Sequence, residues 1–328
     1  MDTMQWGIIG PGNIAHQFVK DLALVSTPQK IKAVLGHHDE KTKAFARRYN
    51  IAFACTGLEE FIHKGRPGIV YIATPHTLHY EQALACLENK IHVLCEKPLT
   101  INAEQCNHLI EVSHKNNVFL MEGMWIRFLP SLKHVIEIIE KGMIGDIISV
   151  KASVGFKAPH EDNRFFDPGL GGGSLLDLGI YPVFLALLFQ GKPDTIKAIG
   201  KLSDKGVDES CNVLFGYNNG ASAVLESSLL IQTGHPAEIT GDKGTVRILH
   251  PWFEKSAGIE LLRDGKQKIL YPCMWEGHGF QYEAEEVLRC IGKGEIESEL
   301  LSHDCSLRVL ETMDEIRRQI HVAYEMYE

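Results

Sequence analysis

The most constraining feature of this sequence is a regular alternation of short apolar runs and longer amphipathic segments between residue 5 and about residue 120. Runs such as QWGIIG, IKAVLG and IVYIAT have the length of a strand, and each is followed by a segment with helical periodicity. Strands that alternate with helices in this way form βαβ units, which build a parallel sheet with right-handed crossovers. The first part of the chain is therefore predicted to be an α/β domain.

The pattern changes after about residue 123. Short strands follow, separated by turn signals such as Asn219-Gly220 and Asp242-Lys243-Gly244, which are typical of antiparallel hairpins. Two helical patterns, GFQYEAEEVLRCIGKG and SLRVLETMDEIRRQIHVAYEMY, end the chain. A chain of 328 residues also exceeds the size at which one core stops growing. We therefore predict two domains, 1–123 and 124–328, the second an α+β domain with an open, mainly antiparallel sheet.

The composition argues against several classes of protein. The net charge of -9 argues against a general binder of nucleic acid or of anionic membranes. The first residues lack the basic region and cleavage site of a signal peptide, and the longest apolar stretch, 180–189, is short for a membrane span and predicts a buried helix. The eight cysteines are scattered without a C-x-x-C pair, which favours reduced thiols and a cytoplasmic location.

A glycine-rich turn follows the first strand and opens the first helix. Gly10, Gly12, Asn13 and Ile14 lie in a G-x-G-x-x-A pattern that ends at Ala15. Glycines let the backbone approach a pyrophosphate closely, and a helix N-terminus offers free N–H groups and a positive dipole end. The pattern predicts a dinucleotide-binding (Rossmann) domain, and a structural turn alone is the alternative.

The end of the second strand bears on the choice between NAD and NADP. A carboxylate there would bind the ribose 2′-hydroxyl of NAD, but the strand ends in His37 and His38, and Asp39 comes late. Lys41 and Lys43 follow in the next helix, although the usual arginine is missing. We favour NADP with His37 and His38 as contacts. NAD stays possible, and the alternative for the two histidines is a solvated turn.

Two further segments follow strands of the parallel sheet, at the end where ligands bind in open α/β folds. The first is the segment from Thr74 and Pro75 through His76 to His79, and the second contains Lys97. Histidines at this spacing resemble a metal pair, but no third ligand of suitable spacing is nearby, and no metal is expected. A lysine at a strand end can serve in proton transfer when burial lowers its pKa, and an ordinary surface lysine is the alternative.

A glycine-rich segment opens an apolar helix in the second domain. If the helix is regular, Asp177 and Tyr181 are four residues apart and share one face. A carboxylate and a phenol are unusual on an apolar helix and favour a site. The alternative is an acidic residue near a helix N-terminus with a half-buried tyrosine.

Together, five segments resemble the Gfo/Idh/MocA oxidoreductases, the relatives of glucose–fructose oxidoreductase and inositol dehydrogenase. They are GIIGPGNIA, YIATPHTLH, CEKPLT, MEGMWIRFLP and GGGSLLDLGIYPV. W-x-R-F-x-P with a tyrosine in the last segment is most similar to the dimeric dihydrodiol dehydrogenase branch, whose relatives include NADP-dependent sugar dehydrogenases. With looser similarity in the C-terminal half, the resemblance covers nearly the whole chain.

The resemblance implies a Rossmann domain, a second domain whose open sheet is often used for dimerisation, and hydride exchange between nicotinamide and a secondary alcohol or hemiacetal carbon. Lys97 matches the essential lysine, and Asp177 and Tyr181 match the acid and the proton-transfer residue. The family's cationic residue after the second strand falls on His37. Thr74, Pro75, His76 and Glu96 match cofactor-lining positions, and His79, Trp125 and Arg127 match positions near nicotinamide and substrate. Arg127 is assigned to the cofactor.

The expected reaction is dehydrogenation or reduction of a small polyhydroxylated compound: a sugar, a cyclitol or a vicinal diol. Tyr181 would exchange the hydroxyl proton, with its pKa lowered by the ammonium of Lys97. One alternative is reduction of a different bond, as in biliverdin-reductase-like relatives, and an aromatic pocket would favour it. The second is a non-enzymatic nicotinamide-binding sensor. The candidate lining residues of such an aromatic pocket are Trp125, Trp252, Trp275 and Phe280. Three residues are assigned to substrate binding: Trp125, Phe280 and His79. A homodimer through the C-terminal sheet is expected.

Overall fold

The computed structural model describes residues 4–159, 164–263, 267–325 and 327. These residues form two compact units. The first comprises the chain up to Trp125 together with Glu276–Leu307, and the second comprises Ile126–Trp275 together with the chain from Arg308 onward. The sequence had assigned residues 276–307 to the second domain. The structure places them in the first, because the helix Phe280–Gly292 packs against the helix Asn13–Leu22.

The first unit is built on a fully parallel sheet, as the sequence predicted, and this sheet has six strands, of which the short strand Phe53–Cys55 was not predicted. The strand order is β3-β2-β1-β4-β5-β6. The strands are β1 (Gln5–Ile9), β2 (Lys30–Leu35), β3 (Phe53–Cys55), β4 (Ile69–Ile72), β5 (His92–Glu96) and β6 (Leu120–Gly123). The helices are α1 (Asn13–Leu22), α2 (Asp39–Tyr49), α3 (Leu58–Glu60), α4 (His79–Glu88) and α5 (Ala103–Asn116). Every residue of β4 is buried, which is why that segment reads as a continuous apolar run.

The second unit contains an eight-stranded sheet of order β14-β13-β12-β11-β7-β10-β9-β8. All neighbours are antiparallel except β7 and β10. The strands are β7 (Ile147–Gly155), β8 (Thr195–Leu202), β9 (Asp208–Gly216), β10 (Ser222–Ser228), β11 (Ala237–Gly241), β12 (Gly244–Ile248), β13 (Ile259–Arg263) and β14 (Gln267–Tyr271). Both predicted hairpins form. Gly220, with φ of 85°, turns the chain between β9 and β10, and Asp242 and Lys243 join β11 to β12.

Four further helices complete the fold: α6 (Pro130–Glu140), α7 (Ile180–Gln190), α8 (Phe280–Gly292) and α9 (His303–Ile320). Helix α7 lies on one face of the second sheet, against β7 and β10. The stretch Pro168–Gln190 is long and apolar enough to cross a membrane by length and composition, but 83% of its most apolar window is buried inside the protein. The predicted buried helix is thereby confirmed.

The last helix is shorter than the sequence predicted. Helix α9 ends at Ile320 because His321 adopts the left-handed conformation, with φ of 59°. Val322 and Tyr324 follow as buried residues outside the helix. The Tyr324 hydroxyl donates a 2.5 Å hydrogen bond to the carbonyl oxygen of Gly172. The chain end thus fixes the glycine-rich segment before Asp177.

Candidate active site

The glycine turn after β1 has the shape that a pyrophosphate needs. Gly10 has a φ of 88°, and a Cβ there would lie 2.7 Å from the carbonyl oxygen of Ala73. A Cβ on Gly12 would meet nothing within 4 Å, so this position faces open space. Within the described residues, no side chain caps the N-terminus of α1, and its first turn has no acidic residue. The N–H groups that follow Gly12 are therefore available to an anion, and the turn fits a dinucleotide.

The end of β2 lies beside this turn and presents the two histidines. Gly36 packs so closely on Pro11 that a Cβ would lie 2.7 Å from Cγ of the proline. His37 and His38 follow as exposed residues, with ring centroids 4.9 Å apart. Asp39 begins α2 and is 2.6 Å from the Lys43 ammonium. The strand end therefore presents two imidazoles, and the carboxylate of Asp39, which follows them, is paired with Lys43.

The segment after β4 is joined to the segment after β5 by His79. This ring has no exposed surface, and its two nitrogens lie 3.0 Å from the carbonyl oxygen of Thr74 and 2.8 Å from that of Pro98. Burial lowers the pKa of His79 to about 3, against the opposing effect of the two carbonyl contacts. His76 is also buried, with its ring centroid 5.7 Å from that of His79. This geometry indicates a positioning role for His79, and direct contact with a substrate stays a prediction.

Glu96 and Lys97 stand at the end of β5. The Tyr71 hydroxyl donates a 2.5 Å hydrogen bond to one carboxylate oxygen of Glu96, and the other oxygen accepts the Lys97 N–H at 3.3 Å. The Lys97-Pro98 peptide bond is cis, and the Lys97 side chain is half-buried. Lys97 therefore directly follows a strand end that the buried Tyr71 holds in place. Sequence reasoning did not identify Tyr71.

Glu122 fixes the chain on the other side of Lys97 and was also missed. This carboxyl is 1% exposed; it accepts the Leu99 N–H at 3.0 Å and the Ser306 hydroxyl at 2.8 Å. Burial raises the pKa of Glu122, and the two donors oppose that shift. An acidic residue inside the apolar run VFLMEG was the signal that could have revealed it.

Asp21 positions Phe280 and is a further residue that the sequence did not reveal. One carboxylate oxygen accepts the N–H groups of His278, Gly279 and Phe280 at 2.8, 2.8 and 3.1 Å. The Phe280 ring stacks on that of Trp125, with centroids 4.9 Å apart and planes 15° apart. Phe280 is only 4% exposed and Trp125 is half-buried, so Trp125 is the more accessible of the pair. Their contact with a substrate stays a prediction.

Glu283, on α8, adds a fully buried acidic residue to the same unit. It has no exposed surface, and neither carboxyl oxygen has a hydrogen-bond partner among the described residues. Burial raises its pKa well above the usual range, and the nearby charges of Glu96 and Asp21 raise it further. Burial and the two neighbouring carboxylates thus favour the neutral form of this group.

In the second unit, Asp208 holds the start of the segment that contains Asp177. Its Oδ2 accepts the Ser174 hydroxyl at 2.6 Å and the Leu175 N–H at 2.7 Å. Gly173, with φ of 119°, passes so close that a Cβ would lie 2.5 Å from Asp208 Oδ1. Burial raises the pKa of Asp208 to about 6, against the effect of these donors. The glycine thus permits a close approach that no side chain would allow.

Asp177 and Tyr181 do not lie on one regular helix, and this corrects the sequence prediction. Leu175–Gly179 form a π-helical turn before α7 begins, so the spacing of an α-helix does not apply between the two residues. Asp177 is 5% exposed and lies 3.4 Å from Arg164, which the sequence analysis did not single out. Tyr181 is 7% exposed and stacks on Phe253 with centroids 5.7 Å apart. Both side chains are thus held in fixed surroundings.

The remaining candidates divide between core and partly open positions. Arg127 is half-buried in a short 3₁₀ helix, Trp125–Phe128. Trp252 is a core residue, because it is 2% exposed and donates its indole N–H to the Ser153 carbonyl at 2.8 Å. Trp275 is half-buried, with the Lys255 ammonium 5.7 Å from its ring centroid.

Comparison with known proteins agrees with these features. A family model described as an oxidoreductase family with an NAD-binding Rossmann fold, Gfo/Idh/MocA, matches residues 4–124, and that of its C-terminal domain matches residues 132–247. The chain is 34% identical over 330 residues to trans-1,2-dihydrobenzene-1,2-diol dehydrogenase of Xenopus tropicalis, which covers 98% of this chain and 99% of that protein. The human protein of the same name is 30% identical over 332 residues, with 98% of each chain covered.

Solved structures share the fold over nearly the whole length. An aldose-aldose oxidoreductase from Caulobacter crescentus superposes with a TM-score of 0.88 at 23% identity, covering 97% of this chain and 98% of that one. A levoglucosan dehydrogenase in complex with NADH and levoglucosan gives a TM-score of 0.85 at 20% identity, covering 98% of both chains. The glycine turn, the matched domains and the full-length relatives together show that the chain belongs to the Gfo/Idh/MocA family of oxidoreductases.

Proposed function

We propose that this protein is an NAD(P)-dependent dehydrogenase or reductase that acts on a secondary alcohol or hemiacetal carbon of a vicinal diol, sugar or cyclitol. The observation that carries the proposal is the full-length similarity to diol dehydrogenases in a chain that has Lys97, Asp177 and Tyr181 in segments resembling the motifs of the family. The Asp177 carboxylate and the Tyr181 phenol are 5% and 7% exposed, and the Lys97 ammonium belongs to a half-buried side chain. Such groups are suited to proton transfer.

The residues of this chain have separate parts in the proposed reaction. When bound, the nicotinamide supplies the hydride acceptor or donor, and the protein supplies position and proton transfer. Tyr181 exchanges the hydroxyl proton of the substrate, and its stacking on Phe253 restricts the ring. Lys97 supplies a positive charge for the proton-transfer step. The Asp177 carboxylate, which is paired with Arg164, accepts a hydrogen bond from a substrate hydroxyl. The Tyr71–Glu96 bond and Glu122 fix the backbone that carries Lys97.

NADP is the proposed cofactor of preference, with His37 and His38 as contacts for the 2′-phosphate. Both histidines are exposed beside the glycine turn, and the carboxylate of Asp39 is paired with Lys43. A strand end without a free carboxylate tolerates a 2′-phosphate better than one with a free carboxylate, because the two negative charges would repel each other. We expect NADPH to quench tryptophan fluorescence at lower concentration than NADH. We also expect His37→Ala to reduce this preference, whereas His63→Ala, which removes another exposed histidine, should keep it.

The catalytic assignment is tested with two conservative variants and two matched controls. Lys97→Met and Tyr181→Phe should each lower turnover by about 10²–10⁴-fold, the usual contribution of a positioned proton-transfer group. Their dissociation constants for NADPH should stay at the wild-type value. Lys205→Met removes an exposed ammonium and Tyr80→Phe removes the hydroxyl of a half-buried tyrosine that contacts His108, and both variants should leave turnover unchanged. Full activity in Tyr181→Phe would overturn the assignment. Tight cofactor binding without turnover on any diol or sugar would favour a sensor instead.

We also propose a homodimer formed through the open face of the second sheet, and a cytoplasmic location. Ile199, Leu214 and Val224 are 79%, 49% and 49% exposed on three neighbouring strands, and Leu214 pairs directly with Val224. Exposed aliphatic residues grouped in this way are typical of a contact surface. Light scattering should give twice the chain mass, and Leu214→Lys should lower the measured mass.

All eight cysteines lie in the described part of the chain and are free thiols, which supports the proposed cytoplasmic location.

A further inference from the structure

We infer that this protein binds a divalent transition-metal ion, Zn²⁺ in the first place, through His114, Glu297 and His303. Among the residues that the structure describes, these three bring their ligand atoms within 4.8 Å of one another. Two imidazoles and one carboxylate form a donor set that zinc uses in proteins. The three residues come from the last turn of α5, the segment before α9 and the first residue of α9. None of them belongs to the candidate active site.

The spacing of the donor atoms suits a tetrahedral ion. Nδ1 of His303 lies 3.4 Å from Nε2 of His114. Zinc–nitrogen bonds of about 2.0–2.1 Å at the tetrahedral angle place two nitrogens about 3.4 Å apart. The Glu297 carboxylate oxygen is 3.8 Å from the same Nδ1, and all three donor atoms lie within 4.8 Å of one another, so a movement of the Glu297 side chain toward the two imidazoles would complete the third bond.

Two hydrogen bonds orient the ligands in the way that metal sites require. Nε2 of His303 lies 2.9 Å from the carbonyl oxygen of Leu120. A carbonyl only accepts, so this nitrogen carries the hydrogen, and the lone pair of Nδ1 is directed at the cluster. The Glu297 carboxylate is fixed by the His303 N–H, which it accepts at 2.6 Å. The buried histidine and the carboxylate are thus preorganised, and a ligating histidine is commonly held by such a carbonyl.

The surroundings leave room for a fourth ligand and favour a cation. His114 is exposed and the Glu297 side chain is 35% exposed, so water can complete the coordination. His114 lies at the C-terminal end of α5, where the helix dipole favours positive charge. The N-terminus of α9 opposes a cation, and the Glu297 carboxylate offsets that effect. A bound ion would connect α5 to the start of α9 and stabilise the first unit against unfolding.

The experiment titrates the full-length chain, first freed of metal with a chelator, with Zn²⁺ by calorimetry and with Co²⁺ by visible absorption. We expect one high-affinity ion per chain, a strong absorption typical of four-coordinate Co²⁺, and a higher melting temperature. Ligand loss in metal sites lowers affinity severely, so His114→Ala and Glu297→Gln should each weaken binding by about tenfold or more. Both side chains are partly exposed, and glutamine can still accept the His303 N–H, so both variants are expected to fold.

Matched controls separate this site from adventitious binding. His63→Ala removes an exposed histidine that lies 3.1 Å from Glu59, and Cys305→Ser removes the nearest thiol in sequence. Both should keep the wild-type affinity. The proposal is overturned if wild type binds no more tightly than the double variant His114→Ala/Glu297→Gln, or if Cys305→Ser alone abolishes binding. Turnover with a diol is a separate measurement, so failure of the metal site leaves the proposed enzyme activity untouched.

Discussion

Removal of the Asp21 carboxylate should destabilise the first unit and displace Phe280. In Asp21→Ala, the N–H groups of His278 and Phe280 lose their acceptor, whereas that of Gly279 keeps a 3.1 Å contact with Gln281. Hydrogen bonds to charged acceptors are worth about 1.5–3 kcal/mol, and an unpaired buried donor costs about 1–3 kcal/mol. We therefore expect a loss of about 2–4 kcal/mol in the free energy of unfolding.

The matched variant Asp21→Asn keeps one accepting oxygen at the same place and should cost only about 1 kcal/mol. Asp204→Ala removes an exposed carboxylate and serves as the surface control. Urea denaturation gives the free energies, and hydrogen exchange of the segment 276–284 reports whether the loss is local. A loss below about 1 kcal/mol in Asp21→Ala, or equal losses in Asp21→Ala and Asp21→Asn, would refute the reasoning.

Three other predictions concern residues that hold the site. The pKa of Asp208 is raised from 3.8 to about 6, so the folded protein binds more protons between these values. The free energy of unfolding should therefore fall by about 3 kcal/mol as pH rises through 4–6, and Asp208→Asn should abolish that dependence. Urea denaturation at each pH measures it, and the same pH dependence in wild type and Asp208→Asn would contradict the prediction. Glu122→Ala should lower kcat about tenfold or more by misplacing Lys97 while NADPH affinity is kept, a split that kinetics and fluorescence resolve. Gly12→Ala should lower the affinity for NADPH without changing the melting temperature. Gly10→Ala should lower both the affinity and the melting temperature, because Gly10, unlike Gly12, has a positive φ.

The elements that follow from local sequence periodicity were predicted well. The parallel sheet of the first unit and the hairpin at Asn219-Gly220 both follow from patterns within a few residues of the chain. The allocation of residues 276–307 did not follow, because an amphipathic helix does not encode which sheet it will pack against. Helix α8 joins the first unit through contacts with α1 that are some 260 residues distant in sequence.

The same limit explains which site residues were found. Gly10 and Gly12 belong to a local motif whose geometry follows from the conformational freedom of glycine. Asp21 acts through partners about 260 residues away, and Glu122 binds Ser306, 184 residues away, as well as Leu99; no sequence spacing reveals such contacts. The π-helical turn before α7 was missed because an apolar run does not distinguish it from a regular helix.

The central claim is that this chain transfers hydride between a nicotinamide cofactor and a diol or sugar carbon. The most direct test measures reduction of NADP⁺ and NAD⁺ at 340 nm in the presence of trans-1,2-dihydrobenzene-1,2-diol, levoglucosan and a panel of aldoses and cyclitols. The account predicts that at least one of these compounds is oxidised and that reduced cofactor and product form in equal amounts. It also predicts a higher rate with NADP⁺ than with NAD⁺. The account would be contradicted if the protein bound both cofactors but neither oxidised any of these compounds nor reduced any of the corresponding carbonyl compounds in the reverse direction.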